Sequence, residues 1–185
     1  YTEVNGSPLF SDNWGIGIVK FTNGKYMKDV PLRFSLYNSE LYSKKGDIEV
    51  MLVNSVREFS FSYEDNGSIR SVSFRNGYPG TKAGADQVFY EILVDGPRFQ
   101  VLKHSNKTIR EVSDYTSAPH KEFRLASELF IFDNQAQTLT QVKNKQPLAE
   151  SVPVLAQEIA RTTGNPTGKF RSEKDLIELV AKVNH

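Results

Sequence analysis

The sequence predicts a mainly β protein of the α+β class, with a curved or closed, mostly antiparallel sheet followed by a C-terminal helical hairpin. Three observations predict it. Apolar and polar residues alternate through much of the chain, the period that gives a strand one apolar face. Asn-Gly occurs four times, at Asn5-Gly6, Asn23-Gly24, Asn66-Gly67 and Asn76-Gly77, and this dipeptide suits type I′ hairpin turns because both central residues take positive φ. Near Pro147 the apolar period lengthens to that of a helix.

The elements follow in chain order. Asn23-Gly24 separates the strand segments 15–22 and 25–30, and Asn66-Gly67 separates 55–63 from 68–75, so each pair reads as a hairpin. Leu32, Phe34 and Leu36 alternate with Arg33, Ser35 and Tyr37. Ile48, Val50 and Leu52 alternate with Glu49, Met51 and Val53. The 88–94 stretch is almost continuously apolar, as expected of a strand buried on both faces. Asp95-Gly96-Pro97 turns the chain into 98–103, and 123–132 is a long strand with 138–142 as its hairpin partner. This spacing is that of an all-β sandwich, barrel or curved sheet. Residues 76–86, with Gly77, Pro79, Gly80 and Gly84, read as an irregular loop. The polar stretch 105–121 reads as a second long loop.

Beyond Pro147, Val152, Leu155, Ala156 and Ile159 fall at helical spacing, and Gly164 and Pro166 end that helix. Ser172-Glu173-Lys174-Asp175 reads as a capping box for a second helix. Leu176, Ile177, Leu179, Val180 and Val183 give that helix a broad apolar face. The expected organisation is a β-rich domain over residues 1–145 with a helical hairpin, 146–185, packed on it.

Composition narrows the chemistry. The chain of 185 residues has a net charge of +1 and no cysteine. It has no thiolate zinc site, iron–sulfur cluster or cysteine nucleophile. A near-neutral chain lacks the dense basic stripe that nucleic acid requires, so no nucleic-acid partner is expected. Lys103, Lys107, Arg110, Lys121 and Arg124 make only a modest basic excess. Purely apolar stretches run to a few residues, so no transmembrane segment is expected. The chain opens on Tyr1 rather than Met, as expected of a processed or trimmed product.

Chemical motifs are sparse. Gly15-Ile16-Gly17 lacks the third glycine and following helix of a dinucleotide fingerprint and reads as small residues in a strand beside Trp14. There is no P-loop and no G-x-S-x-G elbow. His104, His120 and His185 have no metal-ligand spacing, although His104 and His120 would meet if the polar stretch between them closed as a hairpin. Glu64-Asp65 falls in a turn. No catalytic residue, metal site or cofactor is therefore expected. Trp14, Tyr78 and Tyr115 stand at loop or strand-edge positions and are the candidate binding residues, because exposed aromatics supply contact area.

The run Trp14-Gly15-Ile16-Gly17-Ile18-Val19, then Asn23-Gly24-Lys25-Tyr26, then Val30-Pro31-Leu32-Arg33-Phe34-Ser35-Leu36-Tyr37 resembles uncharacterised exported β-rich proteins of Bacteroidota-type bacteria. Phe89-Tyr90-Glu91-Ile92-Leu93 and the closing Lys174-Asp175-Leu176-Ile177 through Val180 and Asn184 are similar too. Phe34-Ser35 departs from the Tyr-Asn of that pattern. The resemblance implies export to the periplasm or cell surface and brings no activity and no site residues. The expected function is a non-enzymatic binding or protein-interaction module of the cell envelope, with a protein partner or an apolar ligand. A periplasmic carrier of a lipid or other apolar ligand and an envelope-polymer hydrolase are the alternatives.

Overall fold

The computed structural model describes residues 3–52, 55–80, 84–113 and 118–184. Its strands are β1 (Val4–Asn5), β2 (Gly15–Phe21), β3 (Tyr26–Ser35), β4 (Glu40–Lys45), β5 (Ile48–Met51), β6 (Val56–Asp65), β7 (Ser68–Arg75), β8 (Tyr90–Asp95), β9 (Phe99–Val112), β10 (His120–Asp133) and β11 (Thr138–Val142). Three helices follow, α1 (Leu148–Ser151), α2 (Pro153–Thr163) and α3 (Glu173–Val183). The strands form a large, mostly antiparallel sheet that is open rather than closed. Among the described residues, no helix is long and apolar enough to cross a membrane.

Two hairpins behave differently at their Asn-Gly turns. Asn66 (φ 49°) and Gly67 (φ 76°) both take positive φ between the paired Asp65 and Ser68, so this turn is the expected type I′. At the other, only Gly24 is left-handed, and the Gly24 N–H donates to Phe21 O while the Phe21 N–H donates to Lys25 O. That is a three-residue loop with its glycine in a bulge, one residue longer than the expected turn.

Two segments differ from expectation. The polar stretch 105–121 is mostly strand, because β9 runs on to Val112 and β10 begins at His120. Polar side chains do not prevent a strand whose backbone finds partners: the Lys107 N–H donates to Leu36 O, and its ammonium donates to the carbonyls of Ser7 and Leu9. The segments 25–30 and 32–36 are largely one strand, β3, with a register shift opposite Gly17/Val19 and Asp29 at φ 54°.

Contacts group the chain into two compact units. One comprises residues 1–75 and 105–126, the other 76–104 and 127–185. In the first unit the strands run in the order β7-β6-β2-β3-β4-β5. Their inner face carries Val19, Leu32, Phe34, Leu41, Phe59, Phe61, Val72 and Phe74, all buried. The aromatic rings pack directly: Phe59–Phe74 centroids are 4.9 Å apart, Phe34–Phe74 5.0 Å and Phe10–Phe74 5.3 Å. The Phe61 ring explains the glycines opposite it. A Cβ on Gly15 would meet Ser62 O at 2.7 Å, and one on Gly17 would meet Phe61 Cβ at 2.7 Å and collide with Ser60 O. Gly15-Ile16-Gly17 is thus a strand segment over which a phenylalanine lies.

In the second unit, β8 pairs β9 and β10 pairs β11, all antiparallel. One face of these strands presents Phe99, Val101, Ile131 and Val142 to Leu148, Leu155, Ile159, Phe170, Leu176 and Val180 of the helical segment. The helices do not need to bury their apolar faces alone. Gly164 (φ 71°) caps α2, and the Ser172 hydroxyl accepts the Asp175 N–H at 3.2 Å to cap α3. The Asp175 carboxylate returns to the Arg171 N–H at 3.1 Å, one residue before the position a capping box reaches. At the other end of α3, the Asn184 side chain accepts from Phe99 N at 3.2 Å and donates to Phe99 O at 3.0 Å. Gly96 permits this approach, because a Cβ there would collide with the Asn184 carboxamide.

Candidate docking face

Side-chain alternation in β2, β6 and β7 sends one set of residues inward and the next outward. The inward set is the aromatic core. The outward set forms cross-strand rungs: Ile16–Ser62–Ser71, Ile18–Ser60–Ser73 and Lys20–Glu58–Arg75. Ile16 is 55% exposed, Ile18 44%, and Ile69 at the far end of β7 74%. These values are high for large apolar side chains in the middle of a sheet. The serines beside them are short, so a shallow groove of about 320 Å³ runs along the isoleucine row, with Asp29 at its rim. The Ser62 and Ser71 hydroxyls lie 2.7 Å apart and bond to each other. Glu58 and Arg75 close one end with an ion pair at 2.7 Å.

Trp14 immediately precedes β2. The Arg33 guanidinium lies 4.4 Å from its ring centroid and the Lys44 ammonium 4.7 Å. Arg33 is itself tied to Glu49 at 2.5 Å. The half-buried indole is therefore engaged by two cations of its own chain. Tyr78 lies elsewhere, inside the second unit. It is only 5% exposed, packs on Tyr90 and Phe132 at 5.5 and 5.0 Å, and donates its hydroxyl proton to Gln100 Oε1 at 2.7 Å. It is a core residue in this structure, not an exposed contact, because its ring packs on side chains of β8 and β10. Tyr115 lies outside the described residues, as does His185. Of the two described aromatics, Trp14 belongs to the first unit and Tyr78 to the second.

The residues that do line up on the open face, Ile16, Ile18, Lys20, Glu58, Ser60 and Ser62, were not singled out from the sequence. Their signal is present nonetheless. In Gly15-Ile16-Gly17-Ile18-Val19, the small residues share a face with Val19, which leaves both isoleucines on the other.

Burial lowers the pKa of Lys107, offset in part by Asp12. Lys103 stands 3.1 Å from Glu173 at the start of α3 and 4.0 Å from Glu91 on the paired strand. Burial pushes the Glu91 carboxyl above the usual range; Lys103 works against this and Glu173 adds to it. Beside this cluster a groove of about 450 Å³ is lined by Ser127, Glu128, Leu129, Gln141, Lys143 and Glu173. Glu128 already accepts from Gln141 at 2.8 Å. His104 packs 5.7 Å from the Tyr90 ring, and burial lowers its pKa against the opposing pull of Glu128. His120 Nδ1 lies 3.3 Å from Ala118 O. Among the described residues, no group of three or more histidine, aspartate or glutamate side chains is placed to hold a metal ion. Asp65 at the β6–β7 turn pairs with Arg70 at 2.8 Å.

Comparison with protein families, with curated proteins and with solved structures gives no match.

Proposed function

We propose that this protein is a non-enzymatic binding module of the cell envelope that docks a protein partner through the outer face of β2, β6 and β7. The observation that carries the reading is the row of isoleucines on that face, open to solvent above a phenylalanine core. An exposed apolar row beside small hydroxyl side chains gains by being covered, and its charged rim keeps the surface soluble until it is. The floor of the groove is built from serines on rigid strands, which suits recognition by shape. The envelope location rests on the resemblance carried by the Trp14–Tyr37 segment and the closing helix.

The test is site-specific cross-linking. A photoreactive residue replaces Ile18, and the protein is mixed with an envelope extract of the producing cell. A saturable, discrete adduct that Ile16→Arg abolishes supports the reading. The same adducts from Ile16→Arg, or from a probe placed at the exposed Val154 on α2, sink it.

A further inference from the structure

The partner of this face can be narrowed from its own symmetry. The three rungs set β2 and β6 side by side with opposed properties. Ile16 stands next to Ser62, Ile18 next to Ser60, and Lys20 next to Glu58. A half-turn about an axis that lies between β2 and β6, parallel to them and in the plane of contact, exchanges the two strands. It places the isoleucine ridge of one copy over the serine row of the other. The same rotation places Lys20 over the partner copy's Glu58, and Glu58 over its Lys20. Shape and charge are thus satisfied by one operation, twice over, as an isologous interface requires.

We propose that the occupant of the outer face is a second copy of this chain, paired face to face about that axis. This rests on the reading of the face as a docking surface. About that axis β7, β6, β2 and β3 of one copy lie over β3, β2, β6 and β7 of the other. Four strands at about 4.8 Å spacing, with three rungs about 6.8 Å apart, make a face of about 400 Å². Two such faces bury about 800 Å² in total, the size of a weak, transient contact, and association in the range of hundreds of micromolar is expected. The rim is charged, so added salt weakens the pair.

Sedimentation velocity of the purified chain, from about 5 to about 500 μM, tests this. A reversible monomer–dimer equilibrium is expected, and Ile18→Arg raises its dissociation constant at least about tenfold. Because Ile18 points outward, that variant keeps its core, which its circular dichroism checks. Lys20→Glu and Glu58→Lys each weaken self-association, yet an equimolar mixture of the two forms a heterodimer, because each interface then holds opposite charges. A wild-type chain that stays monomeric throughout overturns the proposal, as does a dimer indifferent to Ile18→Arg. Overturned in either way, the second copy is excluded, while the cross-linking test still decides separately whether the face docks another protein.

Discussion

His104 on β9 and Glu91 on β8 are partly buried ionisable groups of opposite type, and burial moves their pKa values in opposite directions. The folded state holds the His104 pKa below its usual 6.5. Its contribution to stability is therefore complete above that value and is lost as the pH falls through it toward the folded pKa. Glu91, with a raised pKa, contributes fully only below the ordinary carboxylate range and loses that contribution as the pH rises through its folded value. In Glu91→Gln the second effect is gone, so the melting temperature should fall between pH 7 and pH 5 more steeply than in the wild type. An NMR titration of the His104 ring checks the premise. Its midpoint should lie below 6.5, and a midpoint above this removes the argument.

Among the elements, α3 is fastened at both ends. Lys103 meets its first residue, Glu173, and Asn184 clasps the backbone of Phe99 with two hydrogen bonds, adding a third to Val180 O at 3.1 Å. Asn184→Ala removes all three and leaves the Phe99 groups to find other partners. A loss of about 2 kcal/mol is expected in urea unfolding. A loss below about 0.5 kcal/mol would show that water replaces the clasp without cost. This clasp also marks the limit of what the sequence discloses. The helix itself was legible from its Ser172 cap and its apolar period, and the hairpins from their Asn-Gly turns. Those signals are local. The clasp joins residues 85 apart, and nothing in the local pattern of Asn184 foretells it. The strand character of 105–112 was hidden for the same reason, since distant backbone partners stabilise it. Tyr78 looked like a surface aromatic because its burial depends on Tyr90 and Phe132, which reach it from other strands. Trp14 precedes β2 beside the face proposed for docking, but the cations that cover its ring come from β3 and β4, and no spacing rule brings them together.

At the scale of the whole molecule, the helices belong to the core of the second unit and do not form an appendage. Phe99, Val101 and Ile131 are each at most 1% exposed because α1–α3 cover them. A chain ended at residue 145 would open that apolar face to water, at a cost of about 25 cal/mol for each Å² uncovered. Such a fragment should aggregate or bind hydrophobic dye, and a soluble fragment with a sharp thermal transition would refute this account of the core. The first unit keeps its own aromatic interior and the face proposed for docking.

The interleaved course of the chain also bears on how the protein is made. Residues 76–104 interrupt the first unit, and β9 and β10 each contribute to both units. A ribosome delivering this chain therefore releases β2–β7 well before the segment 105–126 that completes their unit. The phenylalanine-rich strands must wait, partly uncovered, while about fifty further residues emerge, roughly three to ten seconds at ordinary elongation rates. A nascent-chain chaperone, or passage across a membrane before folding, would shelter the strands through that interval.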